Sequence, residues 1–170
     1  VPAAADLNQA DWSLWLDSLG PGNTSAKAAL DCAWLDLAAQ RAGQPLHAFL
    51  GLEFRENHHL TSFSIGLDEP AVIRRKVSDA SAFPILKIKL GTDQDEAILR
   101  AVREVAPAKW LRVDANEGWR TRDLARRRLE WLAGDGRVQF VEQPMPADMP
   151  PEDLAWLKER SPLPLFADES

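Results

Sequence analysis

PILKIKLG, residues 84–91, opens on a proline, closes on a glycine and alternates apolar with cationic residues in between. Successive side chains of a β-strand point to opposite faces, so Leu86, Ile88 and Leu90 share one face and Lys87 and Lys89 the other. Read alone, lysines at every second position describe an exposed edge strand guarded against pairing with other chains. The same alternation suits a barrel strand whose apolar face meets helices. Its lysines would then stand in the interior, which opens at the C-terminal ends of the strands.

The flanking sequence bears on that choice. TSFSIG (61–66), WLRVDAN (110–116), VQFVEQP (138–144) and PLFADES (164–170) are also strand-like, and with ILKIKLG (85–91) they alternate with helical patterns at 68–82, 92–106, 121–133 and 151–160. Strands and helices alternating at intervals of about 25 residues predict βα units with parallel strands. Thr92 and Thr121 suit N-caps with acids in the turn that follows, and Pro151 with Glu152 and Asp153 suits a helix start. Before residue 60 the texture is helical. One helix is expected over 8–19, closed by Gly20-Pro21-Gly22. A second should be capped by Thr24 or Ser25, run to Gly43 and carry Ala29, Leu30, Ala33, Trp34 and Leu37 as its apolar stripe; Gln44 to Gly51 then reads as a connector.

With 45% hydrophobic and 27% charged residues the chain has the composition of a folded globular protein rather than a disordered one. A net charge of −6 argues against nucleic-acid and anionic-membrane partners, which require clustered cations. The basic run Arg126-Arg127-Arg128 sits in an amphipathic helical pattern and reads as a solvated face. A single cysteine, Cys32, cannot form an internal disulfide, and its apolar helical setting predicts a buried thiol. No membrane span or secretory leader is legible, so the expected location is cytoplasmic.

Applied to every strand, the alternation puts Lys87 and Lys89, then Asp114, then Glu142, then Asp168 on the inward face near the C-terminal ends, beside Asn116, Gln143 and Ser170. Adjacent strands are about 4.8 Å apart, so the three carboxylates would crowd together and repel unless a cation sits among them. All-oxygen carboxylate ligation suits a hard divalent ion, Mg²⁺ first and Mn²⁺ second. A lone acid at a strand end is commonly a helix cap or a turn acid. That reading has to be repeated for neighbouring strands, always at the same end.

KIK (87–89), DANEGW (114–119), VEQP (141–144) and ADES (167–170), in this order and spacing, resemble the enolase superfamily and its muconate-lactonizing subgroup. SAKAALDCAWLDLAAQRAGQPLHAFLG resembles the helical segment that leads from that family's capping domain into its barrel, and TSFSIG resembles the first barrel strand of dipeptide epimerases of the L-Ala-D/L-Glu type. The resemblance implies an α/β chain: a partial (β/α)8 TIM-type barrel of about five strands over 56–170, preceded at 1–55 by the helical end of an α+β capping domain. It implies Asp114, Glu142 and Asp168 as Mg²⁺ ligands, Lys89 as the base that removes the proton α to a substrate carboxylate, Lys87 as a contact to that carboxylate, and Ser62 as a substrate-touching hydroxyl. A neutral lysine is needed for a base whose ordinary pKa is about 10.4, and neighbouring positive charge favours the neutral amine. The enolate would need stabilising where it forms, which a metal supplies as a Lewis acid.

An epimerase needs a base on each face of the enolate, and the family's second lysine lies on the sixth barrel strand. The chain is therefore expected to be an internal part of a longer isomerase, homo-oligomeric when full length, acting on a dipeptide or other small carboxylate and inactive as this piece alone. A cycloisomerase or an o-succinylbenzoate-type dehydratase would use the same lysine and ligands, and a catalytically silent metal-binding piece is the alternative outside catalysis.

Overall fold

The computed structural model describes residues 8–56 and 58–169, which divide into two compact units, residues 1–58 and 59–170. Ser170, expected beside the carboxylates, lies outside the described residues.

The first unit consists of α1 (Gln9–Ser18), α2 (Thr24–Arg41) and α3 (Leu46–Phe49), the last a single turn inside the expected connector. Asn8 caps α1, its side chain accepting from Asp11 N at 3.0 Å. Neither Thr24 nor Ser25 caps α2. Its N-cap is Asn23, in the left-handed region at φ 50° with no side-chain capping bond, and the helix starts at Thr24 itself. The buried seam of α2 also differs from the expected stripe. Trp34 stacks on Trp12 at 5.5 Å, and Asp31 accepts from the Trp12 indole at 2.9 Å, which turns residues 31, 34, 35 and 38 toward α1. That rotation leaves Leu30, Leu37 and Cys32 exposed, so the thiol expected to be buried is not.

The second unit is a five-stranded sheet, β1 (Ser62–Ile65), β2 (Ile85–Lys89), β3 (Trp110–Asp114), β4 (Val138–Glu142) and β5 (Leu165–Phe166). All neighbouring pairs are parallel and the spatial order follows the sequence order. Sequential order belongs to a barrel wall; a doubly wound sheet reverses direction at a switch point. The strands are joined by α4 (Pro70–Asp79), α5 (Asp95–Val105), α6 (Arg122–Asp135) and α7 (Pro151–Arg160). Leu86, Ile88, Leu111, Val113, Val138 and Val141 form one buried cluster with Ile73, Val77, Ile98, Val102, Leu129 and Leu157 of the helices. Burying each such side chain contributes about 1.5–3 kcal/mol, which commits this face of the sheet to the helices.

A one-residue bulge in β4 adjusts that alternation. Leu111 pairs with Val138 but Val113 with Val141, so Gln139 and Phe140 together oppose Arg112. Arg112 donates to Gln139 Oε1 at 3.0 Å and lies over the Phe140 ring. The shift lets both Val138 and Val141 pack outward while Glu142 still faces in. Thr121 caps α6 as expected, accepting from Leu124 N at 3.2 Å. Thr92 does not cap α5, which starts later, at Asp95, because the Asp95 carboxylate turns back to bind the Gly91 and Thr92 amides. No helix among the described residues is long and apolar enough to cross a membrane.

Candidate active site

The two upper tiers of the inward face carry the site. Strand register aligns Ser64, Lys87 and Arg112 in the lower tier, and Lys89, Asp114, Glu142 and Phe166 in the upper, C-terminal one. Lys89 Nζ lies 2.6 Å from Asp114 Oδ2. From the tier below, Lys87 reaches up to the same Oδ2 at 3.0 Å and to Glu142 Oε1 at 2.8 Å. Two lysine Nζ atoms thus share one carboxylate oxygen, and one of them, that of Lys87, bridges two carboxylates.

Asp114 carries the cluster. Its side chain is 0% exposed and its second oxygen accepts from Asn116 N at 3.0 Å. Burial alone would raise its pKa, but the hydrogen bonds from Lys89 and Lys87 outweigh burial and hold it below the usual carboxylate range. For Lys87, desolvation works toward a lower pKa, while the bonds to Glu142 and Asp114 prevail and raise it.

Asp168 is not drawn into this cluster. It lies two residues beyond Phe166, the last residue of β5, and its side chain is exposed. Among the described residues no three carboxylate, histidine or cysteine side chains close around a common point. The donor set nevertheless fits a hard divalent cation: Asp114 and Glu142 stand in register on adjacent strands and already hold a cationic group, the Lys87 ammonium, between their oxygens. Ser62 aligns with Ile85, a tier below Lys87; Ser64 is the hydroxyl at the level of Lys87. Alternation puts both serines on the inward face, so only the pairing register separates them.

The turns that follow the site strands are tightly joined. Leu90 N donates to Asp114 O, Ala115 N to Glu142 O, and Gln143 N to Phe166 O, at 2.8 to 3.0 Å. Gly91 (φ +103°) and Gly118 meet so closely that a Cβ on Gly118 would lie 2.2 Å from Gly91 O. Asn116, Glu117 and Gln143 have positive φ although none is glycine. Asp95, 0% exposed, accepts from Gly91 N and Thr92 N at 2.8 Å and from the Trp119 indole at 3.0 Å, tying the turn after Lys89 to the turn after Asp114. In the sequence Asp95 is only one of the acids after Thr92; Trp119 in DANEGW, its partner, is the signal that marks it.

Fold and site together describe part of a TIM-type barrel whose mouth is lined by lysines and carboxylates. Residues 72–170 match the enolase C-terminal domain-like family, and residues 4–51 match the N-terminal domain of the mandelate racemase / muconate lactonizing enzyme family. The chain belongs to the enolase superfamily. It is 57% identical over 156 residues to an L-Ala-D/L-amino acid epimerase of Pedosphaera parvula, covering 92% of this chain and 45% of that one. The substrate-liganded L-Ala-D/L-Glu epimerase of Bacillus subtilis superposes with a TM-score of 0.80 at 29% identity, over 96% of this chain and 47% of that one. A 2-chloromuconate cycloisomerase of Rhodococcus opacus 1CP gives a TM-score of 0.80 at 28% identity, over 95% of this chain and 45% of that one. The chain spans about half the length of the curated relatives it matches.

Proposed function

We propose that the full-length protein is an epimerase that inverts the carbon α to a carboxylate of a dipeptide of the L-Ala-D/L-Glu type, with Lys89 as one of its two bases. The observation that carries this reading is the Lys89–Asp114–Lys87–Glu142 cluster at the C-terminal ends of adjacent parallel strands. The dipeptide epimerases among its relatives support the substrate class.

In this reading Lys89, as the neutral amine, takes the α-proton on Nζ; the C–H bond breaks and its electron pair moves toward the substrate carboxylate as an enolate. Lys87 donates to that carboxylate, and Ser64, level with Lys87, offers a hydroxyl beside it. Asp114, Glu142 and Asp168 would hold Mg²⁺, or Mn²⁺ in its place, which when bound supplies positive charge against the growing negative charge of the enolate. The proton returns from the other face from a second base, expected in the part of the relatives' length that this chain does not span.

Residues 1–55 are read as the helical end of a capping domain and 56–170 as the first five βα units of the barrel. A homo-oligomeric, cytoplasmic protein with a small-molecule carboxylate as its partner belongs to the same proposal. Solvent deuterium exchange at the substrate α-carbon tests it: the full-length protein with L-Ala-L-Glu and Mg²⁺ should wash deuterium into the glutamyl α-position. A cycloisomerase, whose fold this chain shares equally closely by TM-score, would convert a muconate instead and leave the dipeptide unexchanged.

A further inference from the structure

Gln143 follows Glu142 directly and has no part in the chemistry above. The residue is 3% exposed, and its backbone sits at φ +38°, a left-handed conformation that is strained for a residue bearing a Cβ. Such strain persists only where the surroundings enforce it, and here they do. Oε1 accepts from Asp168 N at 2.8 Å and from Glu169 N at 3.1 Å, while Nε2 donates to Met145 O at 2.8 Å. The Gln143 backbone N donates to Phe166 O, and its carbonyl accepts from Glu117 N, both at 2.9 Å. One residue therefore joins the turns after β3, β4 and β5, the three turns that follow the strands carrying the candidate ligands.

The need for such a joint follows from the length of β5. Its ladder ends at Phe166, opposite Glu142, so strand pairing fixes Asp114 and Glu142 but not Asp168. The backbone of Asp168 is held instead by a side chain. We propose that Gln143 is a positioning residue that sets where Asp168 stands relative to Asp114 and Glu142, and so completes the cation site. This rests on the metal reading given above. Glutamine suits that role because its single amide accepts two N–H groups and donates to a carbonyl without adding charge beside the carboxylates. Glutamate would keep the acceptors and lose the donor; methionine would keep the length and lose both.

The test is Mg²⁺ titration calorimetry and Mn²⁺ electron paramagnetic resonance on the full-length protein without substrate, at a temperature where circular dichroism reports every variant folded. Gln143→Met should weaken Mg²⁺ binding by about 10–100-fold, the range seen when a partner that orients a metal ligand is lost, and should alter the Mn²⁺ spectrum. Gln143→Glu should recover part of that affinity. Turnover by Gln143→Met should return toward the wild-type kcat as Mg²⁺ is raised, because the lysines are untouched. Arg103→Met is the control for mere destabilisation. Arg103 pairs with Asp135 and donates to the Ala106 and Lys109 carbonyls at the opposite end of β3, and its loss should lower Tm with Mg²⁺ affinity unchanged. Wild-type affinity and spectrum in Gln143→Met, with Asp114→Asn abolishing binding, would overturn the positioning role and leave the metal reading standing. A wild-type protein that binds neither ion would overturn both. If Gln143→Met does not fold, Gln143→Gly, which suits the positive φ and removes both the acceptor and the donor, takes its place: unchanged affinity together with loss of Tm assigns Gln143 to stability alone.

Discussion

Lys89 Nζ stands 2.6 Å from Asp114 Oδ2, the same oxygen that Lys87 Nζ reaches at 3.0 Å. A carboxylate shared in this way holds both lysine Nζ atoms at one point of the mouth, in register with Glu142 on the next strand. The two lysines differ in what else they touch: Lys87 also bonds Glu142, whereas Lys89 has the single partner Asp114 among the described residues. Lys89 therefore has less to release before it can meet a substrate.

Replacement of Lys89 by Ala should abolish turnover in the full-length protein, by about 10²–10⁴-fold or more for loss of a positioned base. Deuterium exchange should vanish for the stereoisomer whose α-proton faces Lys89 and persist for the other. Exchange from both stereoisomers in Lys89→Ala would exclude this residue as a base.

Lys87→Met should act differently, since the group proposed to contact the substrate carboxylate is lost while the base remains. We expect kcat/KM to fall by roughly 10²–10³-fold, in line with loss of one donor aimed at developing charge. Steady-state kinetics check this; an unchanged kcat/KM would remove Lys87 from the substrate site.

The same pair sets a pH dependence for metal-free protein. Burial pushes the Asp114 pKa up, but the lysine bonds outweigh it and the folded value lies below the ordinary one of about 3.9. Its contribution to stability is thus present above about pH 4 and lost as pH falls through the lower folded value. Lys87 has a raised folded value, so its contribution is complete below about pH 10.4 and lost as pH rises through that value. A Tm profile in chelator should fall at both extremes. Lys87→Met should lose the alkaline arm and shrink the acid one, and a profile parallel to wild type throughout would count against the cluster.

Asp95→Ala should be among the more destabilising single changes in the second unit. It would strand the half-buried Gly91 and Thr92 amides and the buried Trp119 indole, at about 1–3 kcal/mol for each donor kept from water, while Arg128 Nε, 4.0 Å away, replaces none of them. Denaturant unfolding of the full-length protein should show a loss of about 3 kcal/mol or more. Asp95→Asn, which keeps one acceptor oxygen, should lose less.

Gly118→Ala probes the same seam from the other side. Its Cβ would enter the space of Gly91 O at 2.2 Å, and the obstacle is backbone rather than a mobile side chain, so the two turns must part. Both Tm and Mg²⁺ affinity should fall; a variant with wild-type values of both would mean that the turns can separate without disturbing the site.

Much of the second unit was legible in the sequence because its signals are local. Period-2 alternation in ILKIK and WLRVD, and acids or prolines at helix starts, depend on a few adjacent residues, and the same alternation assigned Lys87, Lys89, Asp114 and Glu142 to one face. What the sequence could not express is the pairing between strands. Register decides that Ser64 rather than Ser62 stands level with Lys87, and a bulge opposite Arg112 keeps Val138 outward while Glu142 faces in. The exposed Cys32 has a similar origin, since the stacking of Trp34 on Trp12 chose which side of α2 is covered. Gln143 and Asp95 were visible as polar letters near a motif, but their partners are 25 and 24 residues away, at Asp168 and Trp119. The sequence by itself determined which side chains face the mouth, because strand geometry is a property of neighbours along the chain. Only the tertiary structure decided their heights and their supports, because those depend on hydrogen bonds between segments far apart along the chain.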